Sequence, residues 1–270
     1  MQDYFGKETN LSRKKLWLFD MDGTIYEEKT LFDGTLDLLN AIHRQRGKYV
    51  FITNNSSRSV TDYVRKVNGL GITAKEDNFF TSAQATILWL KKSYPGAKVY
   101  CEGTRSFVKE LEEAGIDITE QVEPVDIVLV GFDTELTTEK IRNTCEILST
   151  QDVVYIATNP DWVCPAAFGF IPDCGSICGM IKNATAKWPV FIGKPEPTMV
   201  HIVCKKFGYT VDETVVVGDR LYTDIAAGLN AGAATVCVLT GEATVKEIER
   251  SHIKPTFTFR SVREIYEALL

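Results

Sequence analysis

Asp20 and Asp22 stand two positions apart at the end of the apolar run "KLWLF", with Gly23 and Thr24 directly behind them. Neutral turn formers would end a strand equally well, so the carboxylates need a chemical reason. Three other apolar runs end in the same way: Thr53 and Asn54 follow "YVFI", Lys194 follows "VFIG", and Asp219 with Asp224 follows "TVVVG". Functional residues of open parallel sheets collect beyond the carboxyl ends of the strands, so these four ends can supply one crevice. Asp20, Asp22, Asp219 and Asp224 repel one another there unless a proton or cation intervenes, and Lys194 offsets only part of that charge. Carboxylate oxygens favour magnesium, with Asp219 able to face the ion and Asp224 able to act from behind it.

Phosphoryl transfer gives each of these groups a separate task. Asp20 attacks phosphorus and carries an aspartyl phosphate. Asp22 protonates the leaving alcohol, then takes a proton from water. The Thr53 hydroxyl donates to a phosphoryl oxygen and Lys194 neutralises charge as it builds, while Gly23 permits a tight turn with backbone donors near the anion.

The elements that must hold these residues alternate. Residues 15–20 predict a strand, 33–46 a helix through Leu36, Leu39 and Ile42 with Asp33 as its cap, and "KYVFITNN" a second buried strand: a parallel strand–helix–strand unit. A helix over 59–68 follows. From "SAQATILWLKKS" to "VVYIATNP" the chain alternates again, and "VFIGKPEP" to "SVREIYEALL" returns to the first pattern. The fold class is therefore α/β, with residues 1–81 and 184–270 forming one discontinuous domain and 82–183 an inserted α/β domain.

"DMDGT", "ITNN", "GKPEP" and "GDRLYTDI" resemble, in order, the four motifs of the haloacid dehalogenase superfamily of phosphatases. The resemblance implies a Rossmann-like core, Asp20 as nucleophile, Asp22 as general acid and base, Thr53 as phosphate binder, Lys194 as the charge-neutralising lysine, and Asp219 and Asp224 at the magnesium site. It adds the main-chain carbonyl of Asp22 as a metal ligand. The insertion, with "IATNPDWVCPAAFGFIPDCGSI", is similar to the C2-type α/β cap of the NagD-like and p-nitrophenylphosphatase-like subfamily. That subfamily implies magnesium-dependent hydrolysis of small phosphate monoesters such as nucleoside monophosphates, sugar phosphates and phosphoglycolate; a homodimer built through the cap and a monomer both stay open. Within the cap, "ATNPDWVCP" is the expected specificity element. Asn54 is expected to position its loop and contact substrate; Asn159 and Asp161 meet the leaving group or serve structure, and Trp162 covers substrate or packs within its own domain. A phosphomutase would pass the same intermediate to a second hydroxyl, and a noncatalytic phosphate sensor would bind without turnover.

Composition narrows the partners. With 30 Lys and Arg against 36 Asp and Glu the net charge is -6, and no basic block offers a track for nucleic acid. No apolar run approaches the roughly 20 residues that span a bilayer, and the amino end has no apolar signal core, so a cytoplasmic protein is expected. Seven scattered cysteines do not form a disulfide framework, and Cys164, Cys174 and Cys178 fit no zinc spacing. Arg58 and Arg220 read as solvated charge, and "DMDGTI" lacks the glycine series of a dinucleotide site.

Overall fold

The structure is a computed structural model that describes residues 1–166 and 168–270. Ala167 of the quoted insertion segment lies outside the described residues. The chain divides into two compact units, one of residues 1–53, 63–80 and 194–270, the other of residues 54–62 and 81–193.

The first unit opens with Leu16–Phe19 (β1), a short antiparallel hairpin of Tyr26–Glu27 (β2) and Thr30–Leu31 (β3), Thr35–Arg44 (α1) and Lys48–Thr53 (β4). Val60–Gly69 (α2) and Phe79–Thr81 (β5) lead into the insertion. The insertion runs Ser82–Ser93 (α3), Lys98–Glu102 (β6), Arg105–Glu113 (α4), Asp117–Thr119 (β7), Ile127–Val130 (β8), Thr138–Thr150 (α5) and Val154–Ala157 (β9). It closes with the hairpin Val163–Ala166 (β10) and Gly169–Pro172 (β11), then Cys174–Thr185 (α6) and Val190–Phe191 (β12). The chain returns through Thr198–Phe207 (α7), Thr214–Gly218 (β13), Ala226–Asn230 (α8), Ala234–Val238 (β14), Val245–Arg250 (α9), Phe257–Phe259 (β15) and Val262–Leu269 (α10).

In the first unit the sheet order is β15-β14-β13-β1-β4-β5. β1 lies in the middle, paired in parallel with β13 on one side and β4 on the other. Helices on both faces leave such a strand no solvated side, which is why "LWLF" and "TVVVG" are buried at every position rather than alternating. α1 buries Leu38, Leu39 and Ile42, whereas Leu36 is exposed, and the helix is capped by Gly34 and not by Asp33. Asp33 instead lies 3.9 Å from the Arg263 guanidinium.

The second unit has its own five-stranded parallel sheet, β12-β9-β8-β6-β7. Thr81 and Gln84 form a reciprocal capping box at the start of α3, so the helix begins where the sequence expects it. The edge strand β7, the β10–β11 hairpin and α6 have no counterpart in the sequence reading. α6 is rich in small residues, "CGSICGMIKNAT", and reads as loop until Asp173 is seen accepting from the Cys174 amide at its amino end. Among the described residues no helix is long and apolar enough to cross a membrane.

Glu102, at the carboxyl end of β6, is fully buried. Thr144 donates its hydroxyl to Oε2, and Oε1 has no hydrogen-bond partner among the described residues. Burial pushes its pKa up to about 7, with Thr144 opposing and Asp133 adding. An acid whose native pKa lies above the unfolded value binds more protons when folded, so stability falls as pH rises from about 4.5 to about 7. The loss amounts to roughly 3 kcal/mol at pH 8 and under about 1 kcal/mol at pH 5. Glu102→Gln keeps an acceptor for Thr144 and removes the charge. Urea denaturation should show it stabilising the chain by about 1–3 kcal/mol more at pH 8 than at pH 5; an equal effect at both would contradict the assignment.

Candidate active site

Asp20 leaves β1 with its amide donating to the Val217 carbonyl of β13 at 2.8 Å, so the sheet itself fixes where the turn begins. The turn closes when Thr24 and Ile25 amides donate to the Met21 carbonyl at 3.2 and 2.9 Å. Gly23 adopts a φ of +79°, and a Cβ there would lie 2.7 Å from Asp219 Oδ2. Both facts require glycine: the backbone is left-handed, and the motif packs directly on a carboxylate.

Lys194 is the hub. Its ammonium donates to Asp20 Oδ1 and to Asp224 Oδ1, each at 2.6 Å, and to the Ile52 carbonyl at 3.3 Å. Three strand ends that lie far apart in sequence thus meet on one buried cation. Burial alone would lower the lysine pKa, but the Asp20 and Asp224 carboxylates outweigh it and hold the group protonated, above its ordinary value. Thr53, the last residue of β4, is buried beside Ile52.

Asp219 and Asp224 follow β13. The five residues from Leu221 to Ile225 form a π-turn, with the Ile225 amide donating to the Arg220 carbonyl at 3.2 Å. Such wide turns occur often at functional sites, and this one carries Asp224 back to Lys194. The Arg220 amide donates to Asp224 Oδ2 at 3.2 Å. Asp219 accepts from the Thr24 hydroxyl at Oδ1, 3.2 Å, and from the Glu242 amide at Oδ2, 2.9 Å. Burial, then the charge of Asp20, push Asp219 up to about 6 and Asp224 up to about 7, Lys194 opposing the second.

Carboxylate oxygens of Asp20, Asp219 and Asp224 lie within 4.8 Å of one another, the group of that kind found among the described residues. Each carboxylate offers about four lone-pair sites, so the hydrogen bonds above leave every one of them able to coordinate. Hard oxygen donors crowded together, with Asp219 and Asp224 at raised pKa values, fit a divalent cation, and the triad can hold one.

Asp22 is half-exposed at the mouth of the turn. Tyr26 donates its hydroxyl to Asp22 Oδ2 at 3.1 Å, and Lys66 of α2 reaches Tyr26 Oη at 2.9 Å and Asp22 Oδ1 at 3.5 Å. Loss of solvent raises the Asp22 pKa, Lys66 lowers it and Asp20 raises it. The upward direction favours the protonated form that a general acid needs.

The remaining sequence candidates lie in the second unit. Asn54 Nδ2 donates to Asp161 Oδ2 at 3.1 Å, Asn159 Nδ2 donates to the Asn54 carbonyl at 2.8 Å, and the Asp161 amide donates to Asn159 Oδ1 at 2.9 Å. All three are buried, and this net holds the chain directly after Thr53. Trp162 is 54% exposed; its ring packs over Gly179 of α6 and lies 6.2 Å from the Trp188 ring. Arg220 corrects the expectation of solvated charge: it is largely buried and pairs with Glu242 at 3.0 Å. Thr24, Tyr26, Lys66 and Glu242 carry no signal of a role in the sequence.

Two family models match this chain, a haloacid dehalogenase-like hydrolase over residues 17–117 and a HAD-hydrolase-like model over residues 191–265. The chain belongs to the haloacid dehalogenase-like hydrolases. It is 34% identical to the acid sugar phosphatase of Staphylococcus saprophyticus over 94% of its own length and 98% of that relative's. The 4-nitrophenylphosphatase of Thermotoga maritima superposes with a TM-score of 0.92 at 38% identity, covering 96% of this chain and 99% of the other. NagD of Escherichia coli K-12 gives 0.84 at 31% identity, with 93% and 98% covered. Within the haloacid dehalogenase-like hydrolases the chain is of the NagD-like, p-nitrophenylphosphatase-like type, a phosphatase of small phosphate esters.

Proposed function

We propose that this phosphatase is magnesium-dependent and hydrolyses sugar monophosphates, with the first unit as catalytic core and the insertion as its C2-type cap. The observation that carries the mechanism is the Lys194 hub, which draws Asp20 and Asp224 together beside Asp219. Asp20 attacks phosphorus; its oxygen–phosphorus bond forms as the ester oxygen–phosphorus bond breaks, and Asp22 gives its proton to the departing alcohol. Asp22 then takes a proton from water, which attacks the phosphorus of the aspartyl phosphate and releases inorganic phosphate with the Asp20 carboxylate restored. The Thr53 hydroxyl and Lys194 ammonium stabilise the equatorial oxygens in both steps. Asp20, Asp219, Asp224 and the Asp22 carbonyl would hold magnesium, which when bound would supply countercharge to the phosphoryl group.

The sugar-phosphate reading is supported by the name of the Staphylococcus relative over nearly its full length. Asn159 and Asp161 act by holding Asn54, and specificity resides in the segment from Ala157 to Pro165 that includes Trp162. Cysteines scattered along the chain, in no disulfide framework, support a reducing, cytoplasmic setting.

Phosphate release from sugar, nucleoside and short-acid monophosphates is the test. Sugar monophosphates should give the highest kcat/KM, and chelator should lower release at least ~100-fold until magnesium is restored in excess. Equal release with chelator would sink the metal requirement, and a nucleotide preferred tenfold would sink the substrate class.

A further inference from the structure

The loop after β14 grips Asp219 from outside the four motifs. The Glu242 amide donates to Asp219 Oδ2 at 2.9 Å, and the Ala243 amide donates to the Asp219 carbonyl at 2.9 Å. The Thr240 hydroxyl donates to the Gly23 carbonyl at 2.6 Å, tying the same loop to the first motif. Between them Gly241 approaches so closely that a Cβ would sit 2.0 Å from Asp219 Oδ2. The loop is held in turn by the Glu242 side chain, which accepts from Arg220 Nε at 3.0 Å and from the Tyr222 hydroxyl at 3.3 Å. Arg220 and Tyr222 are the first and third residues after Asp219, so a closed ring runs from Asp219 through its own following turn to Glu242 and back to the carboxylate.

We propose that Glu242 is a positioning residue for the Asp219 carboxylate: gripped by Arg220 and Tyr222, it holds the Gly241–Ala243 backbone that orients Asp219, and so sets the affinity of the carboxylate triad for a divalent cation. This rests on the metal-dependent reading above. A carboxylate accepting one hydrogen bond at each oxygen, from Thr24 and from Glu242, is held against rotation before any ion arrives. Groups that orient a metal ligand in this way typically account for 10- to 100-fold in metal affinity. The Glu242 side chain is 41% exposed but its partner Arg220 only 17%, so its loss costs some stability, and the fold of each variant is read separately from its metal affinity.

Mn2+ binding to metal-free protein, read by electron paramagnetic resonance with Mg2+ as competitor, tests the proposal without turnover. Glu242→Ala should weaken Mn2+ binding about tenfold, and the magnesium concentration for half-maximal activity should rise in parallel. Glu242→Gln, which keeps acceptors for Arg220 and Tyr222, should bind within about threefold of the parent. Should Glu242→Ala fail to fold by circular dichroism, Tyr222→Phe removes one of the two grips and should weaken binding about threefold. A Glu242→Ala protein with parental Mn2+ affinity overturns the inference. So does a Glu242→Gln protein as weak as Glu242→Ala, with the difference from the parent vanishing in high salt, since that is long-range attraction and not positioning. A parent that binds no divalent cation overturns the metal reading and this inference together.

Discussion

Asp20→Asn lowers phosphate release by roughly 10^4-fold or more on every ester the parent hydrolyses, because the amide keeps the shape of the side chain and loses the nucleophile. The same substitution gives up one of the two ion pairs of Lys194 and relieves Asp219 and Asp224 of a like charge, so the metal-free protein should stay folded and gain stability at pH 8 relative to pH 5. In the parent, the Asp20 charge is among the causes that raise Asp219 to about 6 and Asp224 to about 7. Both groups therefore bind protons in the native state that the unfolded chain has released, and stability falls as pH climbs through those values. Removing the Asp20 charge lowers both native pKa values, so the stabilisation should be seen at pH 8 in chelator and fade toward pH 5. Turnover under saturating ester, acid-quench trapping of phosphate on the protein, and thermal melts at the two pH values read the three consequences. Equal phosphate release by parent and variant would remove Asp20 as nucleophile. A variant that is inactive but gains no stability at pH 8 relative to pH 5 would leave the chemistry intact and contradict the electrostatic account of the triad.

The parts of this site visible in the sequence share one physical cause. β1 and β13 are buried at every position and β4 from Val50 onward because both faces of a parallel sheet are covered, so the first polar residue after each apolar run marks where the strand emerges. Asp20, Thr53 and Asp219 are those residues or their neighbours, and three elements of the fold announce them. Lys194 is announced more weakly, by a two-residue strand of the other unit, and its identity as the hub depends on distances to Asp20 and Asp224 that no spacing rule supplies. Glu242 is not announced at all. "TGEA" reads as an ordinary turn, and its significance comes from the approach of Gly241 to a carboxylate 22 positions earlier. Asn159 and Asp161 leave two roles open in the sequence, contact with a leaving group or structure, and their side chains bond Asn54 and each other's segment. Asp33 failed as a helix cap for a local reason, since Gly34 takes that position and the Asp33 carboxylate faces Arg263. Sequence pattern thus identifies where strands end, while the partners that orient a side chain are fixed by tertiary contact.

Lys194→Met carries the second large effect, on rate and on stability together. Methionine fills similar space and withdraws the cation that Asp20 and Asp224 both accept from at 2.6 Å. The reaction loses a donor aimed at developing phosphoryl charge, a change worth about 10^2–10^3-fold in kcat. The fold loses the partner of a carboxylate that is 1% exposed, and breaking a buried pair from one side costs about 3–5 kcal/mol. Asp224 can escape part of that cost by taking a proton. Its native pKa, already raised to about 7 by burial and the Asp20 charge, rises further without the lysine. An acid with a raised native pKa is fully accommodated below its unfolded value and loses stability as pH climbs toward the native one. The deficit against the parent is therefore small at pH 5 and largest at pH 8 in chelator. Magnesium binding to the folded form alone should return part of the lost stability at pH 8, by mass action, without restoring the rate. Urea titrations at both pH values, with and without magnesium, resolve the two effects. A deficit independent of pH would mean that lost packing, not the uncompensated Asp224 charge, destabilises the variant, and undiminished turnover would remove Lys194 from the chemistry.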